Sequence, residues 1–411
     1  MQAVQYIKSV PRYLTVRLLG KRWNWLYTSG FSCVRLAELD EPRLPGVDWV
    51  KVRTRLCGIC GSDLATITAK GSPYFSPFTS CPFVFGHEVV GEIAAIGEQV
   101  EAYRVGDRVV IEPVLCCEVR GISPACEPCQ RGHFANCENV TKGSISAGIQ
   151  TGYCRDTGGG WSPYFLAHKS QLHRVPDDMA DEVAVLIEPF ACALHAALKA
   201  DPQDEDDVLV IGAGTIGLLT VAAIRALGKT SRILVIAKHP HQQKLAGDLG
   251  ADVILSPGAE LYAQFGQVVQ AASYQPELGK PVLVGGVDVT FDCVASDATL
   301  DDALRFTKAQ GKVMVVGMPA IPKNIDWTSI WYKELRVEGT YTYGIESYAG
   351  ERVRTFALGI RFLQKIGAQL RPLIGDRFQL RDYRQAIGVA LHTSRSKSVK
   401  TLFDLREHNS D

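Results

Sequence analysis

The sequence predicts an α/β protein in two parts, one β-rich and one built on a doubly wound parallel sheet. Three observations predict it. The chain has 411 residues, more than one ordinary core accommodates. Residues 1 to about 190 are short Val, Ile, Gly and Pro runs broken by turns, a strand-and-loop pattern. After Asp201, apolar runs of strand length alternate with helical patterns, the signature of parallel βαβ units.

Taken in order, the opening MQAVQYIKSVPRYLTVRLLGKRW reads as a first strand and hairpin. It lacks the compact apolar core of a signal peptide, and a transit peptide is the lesser alternative. A second strand is expected over 32–39. WVKVRTRLCG (49–58), VVGEIAAIGE (89–98) and YRVGDRVVIEP (103–113) continue the β-rich part. The second part opens with VLVIGAGTIGLLTVAAIRALG (208–228), strand then helix. RILVIAKHP (232–240), VDVTFDCVA (287–295) and GKVMVVGMP (311–319) are its later strands. HQQKLAGDLGAD (241–252) and TLDDALRFTKAQG (299–311) are its helices, with another helix near 261–272 and then a loop. The stretch YAGERVRTFALGIRFLQKI (348–366) reads as helix and VKTLFDL (399–405) as strand.

Charge narrows the function classes. Lys and Arg number 44, as do Asp and Glu. The resulting zero net charge predicts neither a nucleic-acid nor a membrane partner. No apolar run reaches the roughly 20 residues that span a bilayer. Five of the 12 cysteines lie between Cys116 and Cys137. Clustered cysteines without a secretion signal point to metal rather than disulfides, and to the reducing cytoplasm.

Gly212-Ala-Gly214-Thr215-Ile216-Gly217 follows the strand 208–211 and opens a helix. That placement turns a weak GxGxxG motif into a dinucleotide-binding fingerprint. Gly212 permits the tight turn, Gly214 the backbone's approach to a pyrophosphate, and Gly217 close helix–strand packing. Thr215 and Ile216 belong to the same turn, and Gly317 ends a neighbouring strand as a further cofactor-lining position. At the end of the second strand, where an acid would bind the ribose of NAD, stand Ala237 and Lys238. A missing carboxylate and a cation favour NADP(H) over NAD(H). The alternative is a solvent-facing lysine.

Metal-type residues occur in two constellations. The first comprises Cys57-Gly-Ile-Cys60-Gly-Ser62-Asp63, Gly86-His87-Glu88 and Glu188-Pro189. Cys, His and carboxylates suit a catalytic zinc with an open position. Taken singly, Cys57 and Cys60 read as a redox or buried pair, and His87 as a core histidine. The second is Cys126-Glu-Pro-Cys129 with Cys137, and Cys116-Cys117 upstream. Four thiolates would close a structural zinc site.

These residues carry a resemblance. CGICGSD (57–63), GHEVVGEI (86–93), YRVGDRVV (103–110), CEPCQRGHFANC (126–137), IEPFACALHA (187–196), VLVIGAGTIGLL (208–219) and GKVMVVG (311–317) occur in one order over nearly the full length. The chain resembles the zinc-containing medium-chain dehydrogenase/reductase superfamily, most closely its polyol and threonine dehydrogenase branch. The resemblance implies a GroES-like catalytic domain over 1–195, a Rossmann domain over 196–343, and a return to the catalytic domain over 344–411. It implies Cys60, His87 and Glu88 as zinc ligands, with Glu188 a fourth ligand or the holder of a zinc-bound water. Asp63 would orient His87, Ser62 would relay the substrate proton, and Cys57 would be buried packing.

The implied reaction moves hydride between a small alcohol or polyol, or its carbonyl, and a nicotinamide cofactor. The implied assembly is a homodimer or homotetramer. Departures from the family pattern are informative. Ser123 stands where the structural site's first cysteine is usual, so Cys117, or else Cys116, would substitute. Residues 13–31 form an insertion, read as a surface hairpin, with KRWNWLY lining a substrate entrance or an oligomer contact as the lesser alternative. Ala65 stands where some alcohol dehydrogenases have a proton-relay histidine, so the proton needs the ribose, water, another group, or Glu88 and Glu188. A reductase of conjugated carbonyls or imines on the same scaffold is the rival enzyme reading, and a non-catalytic nucleotide-binding protein the rival of another class. Tyr74, Phe75, Trp161 and Tyr343 suggest a partly aromatic substrate pocket.

Overall fold

A computed structural model describes residues 1–392 and 398–406. Both predicted parts are present, in two compact units: Met1–Glu188 with Tyr343–Asp411, and Pro189–Thr342.

In the first unit the central strand is Trp49–Gly58. It pairs antiparallel with Val89–Ile96, Tyr164–His168 and Lys400–Asp404. Ile374–Phe378, Arg108–Ile111 and Leu172–Arg174 complete the seven-stranded sheet. Alternate residues such as Val50 and Val52 point into a core shared with Phe85, Ile93, Trp161, Phe165 and Phe403. Gln2–Tyr6 pairs with Val34–Glu38, so the two N-terminal strands expected from sequence form.

Between them the hairpin reading fails. Val10–Leu19 is an α-helix with Pro11 in its first turn, followed by a 3₁₀ turn at Asn24–Thr28. Proline's fixed φ suits a helix start, and Val16 buries against the unit while Val10, Leu14 and Leu18 stay exposed. The helix expected over 348–366 is also shortened. Ile345–Tyr348 and Glu351–Arg354 form a hairpin, and the helix begins at Thr355. Its turn residues Ala349 and Gly350 both have positive φ, the conformation a two-residue hairpin loop demands.

The second unit holds a six-stranded parallel sheet. Its order is Val253–Leu255, Arg232–Ile236, Asp207–Ile211, Val287–Asp292, Thr307–Val315, Arg336–Gly339. In chain order that is the doubly wound arrangement of dinucleotide-binding folds. Leu209, Ile211, Leu234, Phe265 and Phe306 form its core. The helix near 261 ends at Val268, and the expected loop contains a small hairpin, Ala272–Tyr274 with Val282–Val284. Among the described residues no helix is long and apolar enough to cross a membrane.

Candidate active site and cysteine cluster

The central strand of the first unit ends at Gly58, and Cys60 caps the following helix Gly61–Ile67. The Cys60 N–H donates to Asp63 Oδ2 at 3.0 Å. That bond anchors the fully buried Asp63 at the helix start. His87 and Glu88 lie between the strands Phe83–Val84 and Val89–Ile96. Gly86 turns the chain there with φ +99°, and a Cβ on it would meet Trp161 and Cys57 below 3 Å. Glu188 is the second residue of the helix Ile187–Ala200, where the helix dipole favours a carboxylate.

The fold brings these residues together. Ser62 Oγ lies 3.4 Å from His87 Nε2. His87 Nδ1 lies 3.6 Å from Asp63 Oδ1, too long for a hydrogen bond but close enough for electrostatic pairing. His87, Glu88, Asp63 and Glu188 are all buried. Glu88 Oε2 forms an ion pair with the buried Lys400 Nζ, which also donates to the Ile59 carbonyl at 3.2 Å. Tyr343 donates to Glu188 Oε1 at 3.2 Å.

Burial alone would push His87 toward the neutral form. Asp63, then Cys60 and Glu188, outweigh it and hold its pKa up to about 10. Burial lifts Asp63 to about 6, opposed by His87. Burial also lifts Glu188 to about 7, opposed by His87 and reinforced by Glu88. Two carboxylates, Asp63 and Glu188, and the Cys60 thiol thus act on one buried imidazole, and Glu88 is paired with Lys400. Sulfur, nitrogen and oxygen donors of these types are ones that zinc accepts, but among the described residues their ligand atoms do not form a set within 4.8 Å of one another. Cys57 is fully buried, its thiol pushed well up by burial, the environment of an inert packing residue.

The second constellation is tighter. Among the described residues, one group of metal-type side chains has all its ligand atoms within 4.8 Å of one another: Cys117, Cys126, Cys129 and Cys137. Backbone and amide donors point at these sulfurs. Cys126 N and Asn139 Nδ2 reach Cys117 Sγ at 3.3 Å, and Asn139 N reaches Cys137 Sγ at 3.4 Å. Donors aimed at sulfur suit thiolates, the form that binds zinc. Cys116, next to Cys117 in the chain, stands outside the mutually close set.

In the second unit Gly212 has φ +95°, and Gly214 caps the helix Thr215–Ala226 that Thr215 and Ile216 begin. A Cβ on Gly217 would fall 1.8 Å from the Gly212 carbonyl, so the turn admits only glycine there. Ala237 is fully buried at the end of the second strand, and Lys238 beside it is exposed. Gly317 N donates to the Asp292 carbonyl at 2.9 Å, which ties the two strand ends together.

Sequence reasoning missed Lys400 and the Thr66–Tyr153 hydroxyl contact, 3.2 Å. A lysine within the apolar strand VKTLFDL was a readable signal for the first, since a buried cation demands a partner. The aromatic-pocket reading fails for Trp161. It is fully buried, donates to the Gly58 carbonyl at 3.3 Å and rests on Phe85 and Phe403, so it is core.

Comparison with known proteins agrees with this architecture. Residues 46–177 match the alcohol dehydrogenase GroES-like domain, and 215–357 the zinc-binding dehydrogenase domain. Sorbitol dehydrogenase of Bacillus subtilis (strain 168) is 30% identical over 347 residues, covering 84% of this chain and 87% of that protein. (R,R)-butanediol dehydrogenase of the same organism is 32% identical over 321 residues, covering 75% and 82%. L-idonate 5-dehydrogenase of Vitis vinifera is 29% identical, covering 93% and 94%. The crystal structure of 2R,3R-butanediol dehydrogenase from Bacillus subtilis aligns with a TM-score of 0.70 at 26% identity, covering 90% and 96%. The chain therefore belongs to the zinc-dependent medium-chain alcohol dehydrogenases, oxidoreductases that move hydride between a CH–OH carbon and a nicotinamide cofactor.

Proposed function

We propose that this enzyme oxidises a small polyol or vicinal diol, or reduces the matching ketone, with zinc held by Cys60, His87 and Glu188. The buried convergence of carboxylates and a thiol on His87 supports this reading, as do the polyol and diol dehydrogenases among its relatives. Bound zinc would supply Lewis-acid polarisation of the substrate oxygen. Ser62, beside His87, takes the substrate proton. Asp63 pairs electrostatically with His87. Tyr343 orients Glu188. Glu88, expected from sequence as a first ligand, is engaged by Lys400, so its role is to balance charge at the site. Cys117, Cys126, Cys129 and Cys137 hold a second, structural zinc.

The cofactor reading is NADP(H), supported by buried Ala237 where an acid would bind a ribose and by exposed Lys238 next to it. Gly212, Gly214, Thr215, Ile216, Gly217 and Gly317 form the turns that receive it. The assembly is a homodimer or homotetramer, and the exposed Val337 in the edge strand Arg336–Gly339, with exposed Trp331 and Tyr332 at the end of the helix that precedes it, supports that. The cysteine-rich composition supports a cytoplasmic location.

A panel of polyols, diols, hydroxy amino acids and sugars, run with NAD and NADP in parallel, tests this. Turnover of polyols or diols with NADP is expected. Turnover only of enals or imines would replace the reading. Ala237→Asp should shift preference toward NAD by about tenfold or more, and an unchanged ratio would sink the cofactor assignment.

A further inference from the structure

The chain as a whole carries no net charge, yet no Asp or Glu precedes Glu38. Lys8, Arg12, Arg17, Lys21 and Arg22 all lie on or beside the helix Val10–Leu19 and the turn that follows it. Charge of one sign thus gathers on a stretch that the whole-chain balance averages away. The same stretch shows apolar side chains to solvent. Val10, Leu14 and Leu18 recur every four residues, so they form one stripe along the helix, and Leu18 is 74% exposed. Beyond the helix end, Trp23, Trp25 and Phe31 also stay exposed, Trp25 by 60%. The helix is held from its other side, where Val16 and Tyr27 belong to the core of this unit. A Cβ on Gly20 would fall 2.3 Å from the Tyr27 ring, so the turn folds tightly against the helix end. Arg12 donates to the Ser32 carbonyl at 3.2 Å, and Arg17 to the Ala69 carbonyl at 3.4 Å. The next residue, Lys70, is exposed and adds a cation from a second loop. Strand register places Glu38 opposite Gln2, at the end of that strand pair remote from the helix.

We propose that this face docks on an anionic lipid surface. The stripe of Val10, Leu14 and Leu18, with Trp25, enters the headgroup boundary, and the cations meet the lipid charges. A helix that shows apolar side chains ringed by basic ones binds such a surface through buried apolar area plus attraction to acidic lipids. Indole suits that boundary, because its ring is apolar and its N–H can stay wet. Charge argues against the other occupants. A second copy meeting this face about a two-fold axis would set the cations against themselves. Nucleic acid would engage the cations but leave the aliphatic stripe in water. The helix has ten residues, too few to span a bilayer, so it lies on the surface. Acidic lipids of this kind face the cytoplasm, the location proposed above. Docking requires neither the substrate nor the metals assigned to the active site.

The test is co-sedimentation of the full-length enzyme with vesicles of phosphatidylcholine, with and without phosphatidylserine. Binding is expected only where phosphatidylserine is present, and it should fall as salt rises from about 0.1 M to about 0.5 M. Lys21→Gln combined with Arg22→Gln should weaken it about twentyfold, since each cation near such a surface contributes about fivefold. Leu14→Ser combined with Leu18→Ser should weaken it about tenfold or more. Lys244→Gln combined with Lys323→Gln, exposed cations of the other unit, should bind as the parent does. Tryptophan emission, taken as wild type minus Trp25→Phe, should move to the blue on binding. Thermal unfolding at the parent temperature shows the variants intact, and if the leucine pair does not fold, the Lys21 and Arg22 pair decides. Absence of binding to phosphatidylserine vesicles, or binding unchanged by the Lys21 and Arg22 pair, would overturn the proposal. Without vesicle binding, an oligomer lost in the leucine pair would assign the face to a second copy instead. Capture of an acidic amphipathic peptide, again without vesicle binding, would assign it to a protein partner.

Discussion

Tyr343 donates a 3.2 Å hydrogen bond to Glu188 Oε1, and both side chains are buried. The Tyr343 ring is fixed edge-on against Phe356 at 4.7 Å. Phe356 in turn stacks on His173 at 5.1 Å. The carboxylate is therefore oriented by a ring with little freedom to move. Tyr343→Phe should keep the packing and remove only the donor. The expected cost is about 1 kcal/mol of stability, with faster zinc loss to a chelator. Thermal unfolding and timed metal analysis check this, and unchanged zinc release would count against orientation of Glu188 by Tyr343.

Lys400 balances Glu88 in a setting that excludes water from both. Removing one partner of such a pair strands the other charge, which costs more than the pair itself contributes. Lys400→Met should lower stability by about 3 kcal/mol. Lys400→Met combined with Glu88→Gln should recover part of that loss. Denaturant unfolding of the two variants separates the outcomes, and a double variant no better than the single would refute the pairing argument.

At the cysteine cluster the two adjacent candidates are predicted to differ. Cys117→Ser should lower zinc content by about one ion per chain and destabilise the lobe. Cys116→Ser should leave zinc content at the parent value, because Cys116 stands outside the close sulfur set. Metal analysis of the purified variants is sufficient, and the reverse pattern would assign the fourth ligand to Cys116.

Glu112 provides a pH prediction. Burial pushes its carboxyl up, but hydrogen bonds from His173 and Arg354, each 2.9 Å, outweigh that and hold it below the usual carboxylate range. A carboxyl lowered in the folded state stabilises the protein at pH values above the unfolded-state pKa. The contribution fades as pH falls through the folded value, so the loss belongs below about pH 4. Glu112→Gln should cost about 3 kcal/mol at neutral pH and flatten the acid limb of the stability curve. A variant with the parent's acid limb would show that Glu112 does not contribute to it.

Much of the protein was legible along the chain. Alternating strand and helix patterns announced the parallel sheet, because both depend on periodicity within ten or twenty residues. GxGxxG announced its turn, because only glycine tolerates the positive φ at Gly212 and the 1.8 Å approach at Gly217. Cys60, Ser62, His87 and Glu88 stood out because the chemistry they suit is carried by neighbouring residues. The tertiary structure alone decided the rest. It made a helix of Val10–Leu19, where alternation had suggested a hairpin, and a hairpin of residues 345–354, where the text read as helix. Local propensity is weak there, and burial of one face settles the outcome. It also set Cys117 rather than Cys116 within the close sulfur set, turned Glu88 toward Lys400, and brought Tyr343 to Glu188 and Tyr153 to Thr66. Those partners lie from 9 residues apart, as Cys117 and Cys126 do, to hundreds, and packing joins them where periodicity carries no record of them.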